Sequence, residues 1–349
     1  MNLFKQIEND IKSKKLSPIY LLMGEEEFYI DYLTNLITEN SISKSEKEFN
    51  YNVLYGKETN VDELISICKK FPLMSNYQVV VLKEAQDLSR TIDQLAGYAN
   101  NFLESTILII NYKHKSLDKR KSLYKLISKN GVVFESKRLY ENQVQQWITD
   151  QLNNKSPHRQ CRHDSLLNDK SIKISNKAVA MIVDFLGTDL SKINNELSKL
   201  IQLKKDLKEI SENEIEKYIG ISKEYNNFEL RNAISEKNTF KAFQIADYFA
   251  KNPNSNPMVV TISMVFDFFS KLLLYHANDS LPDSKKAFIM KINPYFIKEY
   301  NRASKNYSIK RVTQVISIIR EYDLKSKGSG VKNTSHLDLL KEMIVRIVS

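Results

Sequence analysis

A possible phosphate-binding site follows the first apolar run of the chain, where Ile19 to Met23 ends at Gly24. A P-loop there would read G-x-x-x-x-G-K-[ST], because backbone N–H groups and the lysine hold phosphates while the hydroxyl binds magnesium. Residues 25–30 instead supply three glutamates and then Phe-Tyr-Ile, and carboxylates suit a bare helix N-terminus better than a triphosphate. A later apolar run, Val79 to Leu82, is followed by Lys-Glu-Ala-Gln, without the Asp-Glu pair that would hold magnesium. The sequence therefore disfavours nucleotide hydrolysis and predicts no bound cofactor.

Metal and nucleophile sites have weaker support. His158, Cys161 and His163 are close in sequence, but a structural zinc site needs four ligands and no second pair is evident. The remaining histidines are isolated, so their spacing places no Ser/His/Asp or Cys/His arrangement; they are His114 and His276, with His336 near the end. We predict neither a metal ion nor a catalytic residue.

One segment is unusually apolar for a connection between elements. Phe71-Pro72-Leu73-Met74 follows a helical pattern and comes shortly before the run Val79 to Leu82. Loops normally run over the surface and are polar. These residues therefore either fold back onto the core or project outward as a docking plug. Composition alone favours the core, since Pro72 can simply end the helix.

Five short apolar runs, about 25–30 residues apart, alternate with helical patterns in the first 140 residues. Each run is rich in β-branched or aromatic residues and is typical of a buried strand. The runs are Ile19 to Met23, Tyr51 to Tyr55, Val79 to Leu82, Thr106 to Ile110 and Val132 to Phe134. Strand, helix and strand at this period predict a five-stranded parallel sheet covered on both faces.

Beyond residue 140 only helical periodicity is found. We predict three domains: an α/β domain at 1–140, a small helical domain at 141–220, and a larger helical domain at 221–349. The fold class is α/β plus all-α. The segment from Asn153 to Ser171 is polar and aperiodic, which favours a surface loop or insertion.

Composition limits the class of protein. The 349 residues are 42% hydrophobic and 27% charged, enough to bury real cores. Two cysteines cannot build a disulfide framework, and the N-terminus lacks a signal peptide, so we expect a cytoplasmic protein. The most apolar stretch, Met258 to Tyr275, is interrupted by Asp267 and Lys271, and we predict no membrane span.

Charge is unevenly distributed. The chain carries 52 Lys+Arg against 42 Asp+Glu, and residues 221–349 hold 20 of the basic and 12 of the acidic side chains. This third is the best candidate to lie near a polyanion. No DNA- or RNA-binding motif accompanies it, and solvated surface lysines explain the excess equally well.

Several short motifs, taken in order, resemble the delta subunit of the bacterial DNA polymerase III clamp loader. The resemblance covers nearly the whole chain, and its order and spacing are more specific than any one motif. The motifs are Pro18-Ile19-Tyr20-Leu21-Leu22-Met23-Gly24-Glu25-Glu26, Phe71-Pro72-Leu73-Met74, Leu117-Asp118-Lys119-Arg120-Lys121, Leu186-Gly187-Thr188-Asp189-Leu190, Asn195-Glu196-Leu197-Ser198-Lys199-Leu200 and Tyr322-Asp323-Leu324-Lys325.

The resemblance implies an AAA+-like domain without a working P-loop, a helical lid domain, and a C-terminal collar domain that joins the other loader subunits in a ring. It implies a subunit that grips the sliding clamp (the beta subunit) and opens one clamp interface, while sister subunits hydrolyse ATP. Leu73 and Met74 match the family's clamp-binding pair, usually Leu followed by Phe, and Phe71 and Pro72 would set its exit angle. Methionine departs from the pattern but retains an apolar, adaptable side chain.

The partners implied are the clamp, the ATPase subunits and delta prime, with primer-template DNA contacted in the assembled complex. The chain would then be a subunit of the DNA polymerase holoenzyme with no catalytic site of its own. Two alternatives remain from the residues alone: an active P-loop-like ATPase, and a stand-alone DNA-binding protein that uses the basic last third.

Overall fold

The computed structural model describes residues 2–153, 172–203, 208–330 and 334–349. The chain divides into two compact units, the first ending at Leu139 and the second beginning at Tyr140. The further division of the second unit near residue 220 stays a prediction. The polar segment predicted from Asn153 to Ser171 lies outside the described residues from 154 onward, as do His158, Cys161 and His163.

A five-stranded parallel sheet forms the centre of the first unit, as predicted. Its strands are β1 (Ile19–Gly24), β2 (Tyr51–Tyr55), β3 (Gln78–Lys83), β4 (Thr106–Lys113) and β5 (Val132–Ser136). They lie in the order β2-β3-β4-β1-β5, and every neighbouring pair is parallel. Strands buried on both faces read as continuous apolar runs, which is why β1, β3 and β4 could be located from sequence; the edge strands β2 and β5 are only partly buried.

Helices cover both faces of this sheet. They are α1 (Asn2–Lys12), α2 (Glu27–Ser41), α3 (Lys47–Asn50), α4 (Val61–Cys68), α5 (Ala96–Asn100) and α6 (Ser122–Asn130), with 3₁₀ turns at Ala85–Leu88 and Ile92–Leu95. Alternate side chains of a strand point to opposite faces. In β1, Tyr20 and Leu22 pack with α1 and α2, whereas Leu21 and Met23 pack with α4, α5 and α6. Cys68 on α4 is fully buried in the same core as Leu21 and Met23.

Helices make up most of the second unit. They are α7 (Glu141–Leu152), α8 (Asn176–Leu186), α9 (Leu190–Leu203), α10 (Glu212–Ile219), α11 (Asn227–Ser235), α12 (Thr239–Lys251), α13 (Met258–Ala277), α14 (Asp283–Met290), α15 (Ile297–Asn306), α16 (Ile309–Ser326) and α17 (His336–Val348), with a 3₁₀ turn at Pro294–Phe296. The prediction of helices alone was wrong at one point. Strands β6 (Lys173–Ile174) and β7 (Glu209–Ile210) form a parallel pair, too short to leave a periodic signal.

The long apolar helix α13 is the centre of the C-terminal core. By length and composition it could cross a membrane, with a mean hydropathy of 1.6 in its most apolar window. One side is buried among the neighbouring helices through Phe268, Phe269 and Leu272. Asp267 and Lys271, which interrupt the apolar run, form an ion pair of 2.6 Å. The helix thus packs as the core helix of a globular unit.

A charged cluster joins α7 and α8 to α11, α13 and α15. Arg231 on α11 lies 3.3 Å from the carboxylate of Glu299, and Lys271 lies 3.1 Å from that of Glu141. Asp184 on α8 faces the same group, and among the described residues its buried Oδ2 has no hydrogen-bond partner. Burial raises the pKa of Asp184 to about 7, although the positive charge of Arg231 opposes the shift.

Candidate functional site

The apolar segment Phe71-Pro72-Leu73-Met74, here called the plug segment, lies between α4 and β3. Helix α4 begins with Asn60, whose side chain accepts a hydrogen bond of 2.9 Å from the N–H of Glu63. Its buried face carries Val61, Leu64 and Cys68. The helix ends at Cys68. Pro72 then disfavours helical backbone at the residue before it, Phe71. The plug segment therefore leaves the helix as an irregular loop.

The plug segment points outward. Phe71 is 78% exposed, Leu73 57% and Met74 95%, and Pro72 is partly buried. Of the two placements left open by the sequence, projection into solvent is the one adopted. Contiguous exposed apolar side chains of this size are typical of a surface that contacts another molecule.

The backbone of the plug segment is held by a side chain from α3. The N–H of Leu73 donates to Oδ1 of Asn50 at 2.7 Å, and Nδ2 of Asn50 donates to the carbonyl oxygen of Leu73 at 2.9 Å. Asn50 is only 2% exposed. Met74 follows with a φ of +52°, in the left-handed region that costs a non-glycine residue free energy. The exposed residues thus occupy a defined and strained conformation.

Both flanks of the plug segment are also tied down. The amide of Gln78, at the start of β3, donates to the carbonyl oxygen of Lys70 and, at 2.8 Å, to Oγ1 of Thr106. The carboxylate of Glu46 accepts a hydrogen bond of 2.7 Å from the N–H of Ser43, and Ser43 and then Ser75 lower its pKa. The loop is therefore anchored before and after its exposed residues.

Sequence reasoning missed two residues of this site. Phe49 is 66% exposed on α3 and directly precedes Asn50 in the sequence. Asn50 reaches a partner 23 positions away. Helix α3 is only four residues long, so no periodic pattern could have identified either residue.

Ion pairs lie at the N-terminal part of α2, after β1, where a P-loop protein would bind a nucleotide. Nζ of Lys113, at the end of β4, lies 2.9 Å from Asp31 and 3.3 Å from Glu27 on α2. Burial lowers the pKa of Lys113, but these carboxylates outweigh burial and raise it. The side chain of Glu26 accepts from the N–H of Phe28 and caps the helix. Carboxylates therefore stand at the helix N-terminus where phosphates would bind, and the lack of nucleotide binding stays a prediction.

Two of the isolated histidines, and two basic residues of one motif, have structural partners. A ring nitrogen of His276 lies 2.8 Å from the carbonyl oxygen of Tyr307, and Nδ1 of His114 lies 3.4 Å from Glu27. Lys119 and Arg120 pair with Glu135 and Asp118. In the described part of the chain, no three His, Cys, Asp or Glu side chains form a group that could hold a metal ion.

The sequence is similar to those of known proteins. Residues 20–137 match the family model of the DNA polymerase III delta subunit. A full-length relative, DNA polymerase III subunit delta of Bacillus subtilis, is 21% identical over 329 residues, which cover 90% of each chain. The chain is thus similar to DNA polymerase III delta subunits, and residues 20–137 carry the delta-subunit domain pattern.

The fold is similar to that of a solved delta protein. The solved structure of the Bacillus subtilis DNA clamp loader delta protein matches with a TM-score of 0.57 and 20% identity, covering 99% of both chains. The predicted fold class, α/β plus all-α with a five-stranded parallel sheet followed by helices, is confirmed. The resemblance to a clamp-loader delta subunit, stated from the sequence motifs, is supported by these comparisons.

Proposed function

We propose that this chain binds the sliding clamp through Leu73 and Met74 and opens one clamp interface, so that the ATP-driven loader can place the clamp on primed DNA. The observation that carries the proposal is the plug segment, which exposes apolar side chains from a backbone fixed by Asn50. An exposed apolar group in a preset conformation is suited to fill a hydrophobic pocket on a partner.

The energy available is appropriate for a binding hot spot. Full burial of a Leu or Met side chain contributes roughly 1.5–3 kcal/mol. Leu73 and Met74 are largely solvent-exposed in the free chain, so most of that contribution remains available on binding. Met74 can adapt to an irregular pocket because its side chain is unbranched and flexible. In this proposal Phe71 and Pro72 direct the pair away from the end of α4.

Clamp opening needs no chemistry in this chain. A protein that binds an open clamp interface more tightly than a closed one shifts the clamp toward the open state by its difference in affinity. The carboxylates around Lys113 support a role without nucleotide. ATP binding and hydrolysis would then belong to sister subunits, and the chain would have no catalytic site of its own.

The second unit would supply the lid at 141–220 and the collar at 221–349. The collar would join the ATPase subunits and delta prime. Its excess of basic residues supports contact with primer-template DNA inside the assembled ring, where several subunits can surround a duplex. We place this assembly in the cytoplasm, at the replisome on the nucleoid.

The decisive experiment is surface plasmon resonance of the full chain against the sliding clamp of the same organism, without ATP. We expect wild type to bind and the double variant Leu73→Ala, Met74→Ala to bind on the order of a hundredfold more weakly. Leu3→Ala is a matched control, because Leu3 on α1 is 51% exposed and the same kind of side chain is removed. Equal affinity of wild type and the double variant would refute the site, and no binding by wild type would refute clamp binding itself.

A further inference from the structure

The side chain of Asn50 replaces a backbone partner for the plug segment. Its amide presents an acceptor oxygen and a donor nitrogen, as a peptide group does, although the nitrogen carries two N–H groups. Oδ1 accepts from the N–H of Leu73 and Nδ2 donates to the carbonyl oxygen of the same residue. Within the described residues, positions 71–76 make no backbone–backbone hydrogen bond. Asn50 therefore supplies both hydrogen bonds of the Leu73 main chain.

Asn50 is firmly placed for this task. It is the last residue of α3 and is almost fully buried. Its Nδ2 also donates a hydrogen bond of 3.2 Å to the carbonyl oxygen of Glu46, one turn earlier. Leaving a buried amide without hydrogen bonds costs free energy. The paired arrangement with Leu73 is therefore strongly preferred over one in which the loop has opened. The contact spans 23 positions and fixes the loop to a separate element.

The consequence reaches Met74. A methionine at φ +52° keeps that conformation only when its neighbours hold it. With both main-chain polar groups of Leu73 held by Asn50, the direction in which Met74 leaves the loop is set. Without Asn50 the backbone can return to ordinary φ values, and the two apolar side chains lose their mutual orientation.

We propose that Asn50 is the positioning residue of the plug segment, which it holds in the binding-competent conformation before the clamp arrives. This inference rests on the proposed clamp binding. A binding partner that finds the competent conformation only fractionally populated shows an apparent affinity reduced by that fraction. Asn50 thus acts through Leu73 and Met74, without itself touching the clamp.

The test uses Asn50→Ala and Asn50→Asp in the full chain. The second change keeps the acceptor for the N–H of Leu73 but places a carboxylate oxygen opposite its carbonyl oxygen. We expect both variants to bind the clamp at least fivefold more weakly by surface plasmon resonance. Hydrogen exchange of peptides spanning residues 71–77 should become faster, with little change elsewhere in the first unit.

The control is Asn226→Ala. Asn226 is also buried, donates to the carbonyl oxygen of Ser222 at 2.7 Å and accepts from the N–H of Glu229 at 2.9 Å, but it belongs to the second unit. It should leave clamp affinity unchanged. In the background of Leu73→Ala, Met74→Ala, the change Asn50→Ala should have no further effect on clamp binding, because the residues that it positions are gone.

The outcomes separate this inference from the function on which it rests. If wild type binds and the double plug variant does not, but Asn50→Ala binds like wild type, the positioning role is refuted and clamp binding stands. Equal weakening by Asn50→Ala with and without the plug side chains would also refute it, since the effect would not pass through them. Failure of wild type to bind any clamp refutes both.

Discussion

Asp184 should make the second unit less stable as the pH rises. Burial raises the pKa of its carboxyl group from 3.8 to about 7 in the folded chain, despite the nearby Arg231. The folded state therefore binds more protons than the unfolded state between these pH values. Stability contributed by the protonated group is fully present below pH 4 and is lost as the pH rises toward and through 7.

The substitution Asp184→Asn replaces the carboxyl by a neutral group of the same shape. One pKa unit corresponds to about 1.36 kcal/mol, so a shift of this size makes the variant about 2–4 kcal/mol more stable than wild type at pH 8. At pH 4 the two proteins should be nearly equal. Glu299, whose pKa burial also raises, leaves a common residual slope in both.

The assay is urea unfolding at pH 4, 6 and 8, followed by tryptophan fluorescence. Trp147 is the one tryptophan of the chain and is buried in α7, so the signal reports on the second unit. Asp150→Asn is the control, because Asp150 lies near the surface and accepts a hydrogen bond from Gln146. If Asp184→Asn is equally or less stable than wild type at pH 8, ionised Asp184 is a net stabilising partner of Arg231 and the reasoning is wrong.

Three further changes test other parts of the structure. Phe49→Ala should weaken clamp binding by a few-fold, less than Leu73→Ala, because Phe49 is exposed and precedes Asn50, which holds the plug segment; surface plasmon resonance measures both. Gly24→Ala should lower the free energy of unfolding by at least about 3 kcal/mol, since φ is +124° and an added Cβ would lie 2.1 Å from the carbonyl oxygen of Ser136. Arg231→Ala should cost about 3–5 kcal/mol in urea unfolding, because Glu299 then remains buried without its cation.

Each of these three predictions has an outcome that would contradict it. Wild-type clamp affinity in Phe49→Ala would confine the contact to the plug segment. A Gly24→Ala variant as stable as wild type would mean that β1 and β5 can separate at their ends. A small loss in Arg231→Ala would show that water reaches Glu299 once the guanidinium is removed.

The chain's own sequence determined the sheet of the first unit and its two covering layers. Strands such as Val79 to Leu82 are continuous apolar runs, because both faces of the sheet are buried, and that pattern is local. The helices after residue 140 could also be predicted, because the periodicity of their apolar residues is a local pattern as well. The two-residue strands β6 and β7 did not, since their pairing depends on a partner more than 30 positions away.

For the candidate site, too, sequence determined one part and tertiary structure the other. Sequence identified Phe71, Pro72, Leu73 and Met74 as apolar where a loop should be polar, and the family resemblance assigned Leu73 and Met74 a partner. It could not decide whether they face the core or solvent, because Pro72 ends the helix in either case. Tertiary structure decided this through Asn50, which fixes the Leu73 backbone from another helix and leaves the side chains exposed. A hydrogen bond across 23 positions depends on how the elements pack, and no local pattern of residues encodes it.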